Sequence, residues 1–197
     1  MSRLWPERRT FLLEPIGPEE PQPWHGALDD FRNKVKALRG RVDVTVVLSN
    51  HFVRYAVLPG EDSAATAEET AALARFHFAK IHGDRAKAWD VRVSEGLACA
   101  IDTALLEGLK SCFAETKARL VSVQPALMAA YNRARGRVPR EGAWVILAER
   151  GRTCLARLAP RGWASVYNGG ETDAEALIER ERNRALGEPM PSEVLKL

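Results

Sequence analysis

The stretch VDVTVVLSNHFVRYAVLP, residues 42–59, constrains the fold more than any other part of this chain. Residues 42–48 and 52–58 are two runs rich in Val, Leu and Tyr. Val44, Val46 and Leu48 alternate with Thr45 and Val47, and Val53, Tyr55 and Val57 alternate with Arg54, Ala56 and Leu58. Period-two spacing of β-branched and aromatic residues predicts strands. Ser49 and Asn50 between them suit a turn, because both side chains can bond nearby backbone groups. The expectation is a largely buried β-hairpin, ended by Pro59-Gly60.

The flanking sequence alternates helix and strand signals. Residues 3–13 hold two apolar clusters, Leu4-Trp5 and Phe11-Leu12-Leu13, which suggest a short hairpin. Residues 14–23 carry Pro15, Pro18, Pro21 and Pro23, so an extended loop is expected. Leu28, Phe31, Val35 and Leu38 recur at helical spacing over residues 25–39, and Gly40 ends that run. A helix is expected over 63–81, capped by Ser63 or Thr66, with Glu68 and Glu69 in its first turn. Residues 88–93 and 97–101 form a second predicted hairpin around Ser94-Glu95-Gly96. A helix capped by Asp102 or Thr103 then runs to Ala118, followed by a strand at 119–123 and a helix at 125–135 with Pro125 in its first turn. Residues 143–149, 153–158 and 162–167 predict a three-stranded meander, broken by Asn168-Gly169-Gly170. A last helix over 173–186 and a short strand at 194–197 close the chain. The order is mixed α/β.

The chemistry-bearing residues form no familiar catalytic pattern. The four histidines, His25, His51, His77 and His82, lie outside any GxSxG setting, and the sequence has no GxxxxGK[ST] or GxGxxG phosphate loop. Gly169-Gly170 precedes a helix, but Glu171 and Asp173 there oppose a bound phosphate. Asp43, Asp90 and Asp102 read as a strand start, a solvated strand face and a helix cap rather than as converging metal ligands. Cys99, Cys112 and Cys154 have no CxxC spacing, which points to buried reduced thiols. No catalytic residue, cofactor or metal site is therefore expected. Net charge is +3 and the arginines are dispersed, apart from Arg133, Arg135, Arg137 and Arg140. No apolar run reaches the ~20 residues of a membrane span, and the N-terminus has no apolar leader. A cytoplasmic protein is expected. The polar set that remains is Ser49, Asn50, His51 and Arg54, at a strand end, and it is the candidate partner-binding site.

Several of these segments resemble the actin-like proteins of type IV pilus and type II secretion platforms, of the PilM and GspL kind. They are VVLSNHFVRYAVLP before a helix opened by Glu68-Glu69, LACAID before the next helix, RLVSVQPALMAAYN, and AWVILAERGRTCLARLAPRGWASVYNGG. The resemblance spans roughly residues 40–186. It implies an RNase H-like, actin-like α/β fold of mixed sheets with flanking helices, built from β-hairpins alternating with helices. Residues 1–40 would supply an N-terminal hairpin, proline loop and helix, residues 41–140 a first α/β half, and residues 141–197 a partial second half. The actin-like ATPases place an Asp-x-Gly phosphate loop in each of two hairpins. Here the matching positions read Trp5-Pro6-Glu7-Arg8 and Ala148-Glu149-Arg150-Gly151, which lack the acid-then-glycine geometry that holds Mg²⁺.

The resulting expectation is a shortened, non-catalytic scaffold or adaptor. It would bind a protein partner, such as an inner-membrane pilus or secretion component, and its open strand edges suit self-association. Localisation would be cytoplasmic, peripheral to the inner membrane through that partner. Two readings compete. One is a divergent nucleotide-binding or hydrolytic enzyme using Asn50, His51 or Asp90, which requires those groups to converge. The other is nucleic-acid binding through the arginines of 133–140.

Overall fold

The computed structural model describes residues 24–58, 66–185 and 187–197. The expected N-terminal hairpin, the proline loop, the Pro59-Gly60 stop and the Ser63 cap lie outside the described residues.

Five helices and nine strands follow one another among the described residues. Helix α1 (His25–Ala37) precedes strand β1 (Asp43–Leu48), and a 3-10 turn (Asn50–Phe52) leads into β2 (Val53–Val57). Helix α2 (Ala67–His82) leads to β3 (Trp89–Ser94) and β4 (Leu97–Asp102). Helix α3 (Thr103–Ser111), β5 (Arg119–Pro125) and α4 (Ala126–Ala134) come next. Strands β6 (Ala143–Glu149), β7 (Arg152–Ala159) and β8 (Gly162–Gly169) precede α5 (Ala174–Arg184) and β9 (Val194–Lys196).

The helix starts follow capping chemistry. Thr66 accepts the Glu69 N–H and donates its hydroxyl to the Glu69 carboxylate, a reciprocal cap. Asp102 accepts from Ala104, and Asp173 from Glu175 and Ala176, so both N-termini are satisfied from within the chain. Helix α3 ends at Ser111, earlier than its apolar pattern suggests. Cys112 and Phe113 stay buried in the turns that follow, where Cys112 donates its N–H back to Gly108 and Leu109.

The expected hairpin over residues 42–59 does not form. Strand β1 pairs in parallel with β5, whereas β2 pairs antiparallel with β4. The 3-10 turn between them, closed by the Phe52 N–H on the Ser49 carbonyl, sends the two strands into different sheets. The other local pairings match the sequence: β3 with β4, and β6 with β7 with β8. Among the described residues three sheets result, ordered β1-β5, β2-β4-β3 and β8-β7-β6-β9, with β9 parallel to β6.

Each sheet buries its apolar face against helices. Leu28 and Val35 of α1 and Leu105 and Leu109 of α3 pack with Leu48 of β1 and Val53 of β2. Ala74 and Phe78 of α2 cover Ala56, Val91, Ala98 and Ala100 on the β2-β4-β3 sheet. The four-stranded sheet is covered on both faces. Leu127 and Tyr131 of α4 meet Val145, Cys154 and Ala156 on one side, and Leu177 and Ile178 of α5 meet Trp144, Ile146 and Leu155 on the other. That is why β7 is apolar at successive positions rather than at alternate ones.

Candidate partner-binding site

The four residues singled out from the sequence lie together, but not as an exposed set. Ser49 and His51 are half-buried, Arg54 is exposed, and Asn50 has 0% exposure. Asn50 is therefore not available at the surface as the other three candidate residues are. The 3-10 turn starts where Ser49 Oγ accepts the His51 N–H at 3.2 Å, and Asn50 in it is buried.

Asn50 is held by residues far away in the chain. Its N–H donates to Glu149 Oε2 at 2.9 Å, its side-chain Oδ1 accepts from the Tyr55 hydroxyl at 2.6 Å, and its carbonyl accepts from Asn168 Nδ2 at 2.8 Å. Asn168 on β8 also donates to the Val53 carbonyl at 2.9 Å, so it bridges β8 to the start of β2. Arg152 on β7 donates to both the carbonyl and the Oδ1 of Asn168, at 3.3 Å each. His51 Nε2 lies 3.1 Å from the Arg150 carbonyl, which accepts from it in the Nε2–H tautomer. The β6–β7 turn and the 49–54 segment thus close on each other.

The knot is polar but sits among apolar groups, Val57, Leu127, Val145 and Cys154 among them. Burial pushes the Tyr55 hydroxyl far above its ordinary value, so it stays a neutral donor to Asn50. The Cys99 thiol is pushed up to about 12, and burial raises Cys154 as well. Neither is a thiolate nucleophile near neutral pH.

Beside the knot, His82 packs against Trp89 with ring centroids 5.0 Å apart. Burial first, then the charges of Arg54 and Arg85 and the nearby His77, hold its imidazole below the ordinary value. The unfolded imidazole takes its proton at about 6.5, so just below that pH the unfolded chain binds more protons than the folded one. The stability due to neutral His82 is therefore present above about 6.5 and is lost as pH falls towards the folded value. His82→Gln is expected to flatten the acid limb of a stability–pH curve measured by urea unfolding. An unchanged limb would contradict the shift.

The hydrolytic reading required Asn50, His51 and Asp90 to converge. Asp90 instead lies on β3, two strands from β2, in the register row Val53–Ile101–Asp90, and its carboxylate pairs with Arg92 at 2.8 Å. Among the described residues no group of three or more His, Cys, Asp or Glu is placed to hold a metal ion. The arginines of 133–140 are exposed, and Arg135 pairs with Glu95 at 2.9 Å. Among the described residues no helix is long and apolar enough to cross a membrane.

Tyr55, Asn168 and Arg152 are the members of the knot that the sequence pattern did not single out. Asn168 reads there as the end of a strand, next to two glycines. The usable signal was an amide at the end of an otherwise apolar strand, where a buried polar group needs partners.

No family model and no curated protein matches the chain. A solved PilM–PilN type IV pilus biogenesis complex is similar over 83% of this chain and 53% of its own, at 14% identity and a TM-score of 0.52. A Bacteroides thetaiotaomicron protein of actin-like ATPase fold and unknown function is similar over 73% of this chain and 53% of its own, at 12% identity and a TM-score of 0.42. The chain spans about half the length of these solved structures. The mixed α/β, actin-like fold expected from the sequence resemblance is the fold of this chain.

Proposed function

We propose that this chain is a non-catalytic, actin-like scaffold that binds a protein partner in a type IV pilus or type II secretion assembly. One observation carries the reading. The β6–β7 turn, where the resemblance puts a phosphate loop in actin-like ATPases, is closed by the chain itself. Glu149 accepts the Asn50 N–H, and the Arg150 carbonyl faces the His51 ring. A carboxylate committed to a backbone donor is poorly placed to hold Mg²⁺, and the turn reads Glu149-Arg150-Gly151 in place of Asp-x-Gly. The likeness to the PilM–PilN complex supports a protein partner of inner-membrane type, with a cytoplasmic location for the chain. In this reading residues 41–140 form a first half and residues 141–197 a partial second half. Ser49, His51 and Arg54 are the residues offered to the partner, with Asn50 supporting them from beneath.

The test has two arms. Isothermal titration with the cytoplasmic segment of the source organism's PilN-like inner-membrane protein is expected to show saturable one-to-one binding; no heat would overturn the partner assignment. Melting temperature is expected to be the same in Mg²⁺-ATP as in Mg²⁺-tripolyphosphate. A ligand at 100 times its dissociation constant adds about 2.7 kcal/mol, so an adenosine-specific rise would be plain. Such a rise, or Mg²⁺-dependent hydrolysis abolished by Glu149→Gln, would overturn the non-catalytic reading.

A further inference from the structure

Helix α2 carries apolar groups on two faces. Ala74 and Phe78 bury one face against the β2-β4-β3 sheet. On the opposite face Phe76 is 68% exposed, and Leu73, one turn before it, is half-buried. Ala72 and Ala79, both exposed, lie one turn before and one turn after Phe76, and their small side chains leave its ring open to close approach by another helix. Covering such a face removes apolar area from water.

The charges on the same face indicate what covers it. Glu69 lies four residues before Leu73, and Lys80 four residues after Phe76. At about 3.6 residues per turn, spacings of four, three and four put Glu69, Leu73, Phe76 and Lys80 on one stripe, the spacing of a coiled-coil seam. Both charged ends are exposed. Neither takes part in the ion pairs found among the described residues, and the Thr66 hydroxyl bonds only Oε2 of Glu69. The stripe reads acid, apolar, apolar, base. A second stripe laid antiparallel reads base, apolar, apolar, acid. Leu73 of each copy then meets Phe76 of the other, and Glu69 of each meets Lys80 of the other, about a two-fold axis between Leu73 and Phe76. A parallel copy in register would set like charge on like charge.

We infer that the exposed face of α2 is a self-association surface, on which two copies of this chain pair antiparallel through Glu69, Leu73, Phe76 and Lys80. The same patch serves both copies, so the contact closes at two chains. It places self-association on a helix face instead of an open strand edge. Ser49, His51 and Arg54 take no part in it, so it stands apart from the partner reading. A contact of a few helical turns per chain buries less than the ~1,200 Å² of a stable interface, and the dissociation constant expected is about 10–100 μM.

The test is sedimentation velocity of the full chain from about 1 to 300 μM, a range that brackets that constant. A concentration-dependent monomer–dimer equilibrium is expected. Phe76→Glu is expected to be monomeric throughout, and Val121→Glu, at an exposed apolar position on β5, to dimerise as the wild type does. Glu69→Lys and Lys80→Glu each set like charges together at both ends of the seam, and each is expected to weaken the dimer about fivefold or more. Their equimolar mixture is expected to recover wild-type affinity, because each chain then meets the opposite charge at both ends. A purely structural effect, such as loss of the Thr66–Glu69 cap, is not rescued by mixing. A chain monomeric throughout, a dimer kept by Phe76→Glu or lost in Val121→Glu, or a mixture no tighter than its components would overturn the surface.

Discussion

Trp144→Ala is expected to cost about 3–5 kcal/mol, the range for truncating a large buried aromatic. The indole has 0% exposure and packs with Leu155 of β7 and with Leu177 and Ile178 of α5. Its Nε1–H donates to the Pro191 carbonyl at 3.1 Å, and its backbone N–H donates to Glu193 at 2.8 Å. Those two bonds guide the C-terminal segment into β9. Truncation therefore opens a cavity under α5 and also leaves the Pro191 carbonyl without its donor. Trp144→Phe helps to separate the two effects: it keeps part of the packing and removes the N–H, with an expected loss of about 1–3 kcal/mol for the stranded carbonyl in addition to a smaller cavity. Urea unfolding followed by circular dichroism measures both. A loss below about 1 kcal/mol for the Ala variant would contradict the packing described.

Asn168→Ala is expected to cost about 2–4 kcal/mol. A single side chain donates to the carbonyls of Asn50 and Val53 and accepts from Arg152, so its removal breaks three bonds at once and strands the buried Asn50 carbonyl, while Val53 keeps Arg54 and Arg152 keeps the Asn168 carbonyl. Each net bond is modest, but each stranded buried partner costs about 1–3 kcal/mol. The location matters as much as the magnitude. Asn168 is on β8 and its partners are at the start of β2, so the bonds join two sheets that share no ladder. Asn168→Asp is expected to be as damaging as Ala, because a carboxylate accepts from Arg152 but cannot donate to either carbonyl. The check is equilibrium unfolding monitored by two probes, tryptophan fluorescence and circular dichroism. Stability equal to wild type in both variants would show that the two sheets are held together by other contacts.

The helices were legible because their determinants are local. Apolar residues at three- and four-residue spacing set the buried face of α1, and Thr66, Asp102 and Asp173 satisfy the first N–H groups of the helices they precede. The β3–β4 hairpin and the β6–β7–β8 meander were legible for the same reason, since a few turn residues join neighbouring strands. The resemblance to actin-like proteins rested on those same ordered segments.

The segment 42–59 shows where local information ends. Its alternation determined that both runs are strands, and both are. It carried nothing about which strand each would meet, because a strand's apolar face fits any complementary neighbour. β1 takes β5 in a pairing that joins Asp43 to Arg119, 76 positions apart, and β2 takes β4. The candidate site divides the same way. Sequence alone determined that residues 49–51 are a polar interruption between two strands. Only the tertiary structure decided that Asn50 faces inward, because the groups that satisfy it belong to Glu149 and Asn168, 99 and 118 positions away. Hydrogen-bond need is written in the residue type, but the partner that meets it is chosen when distant strands pack.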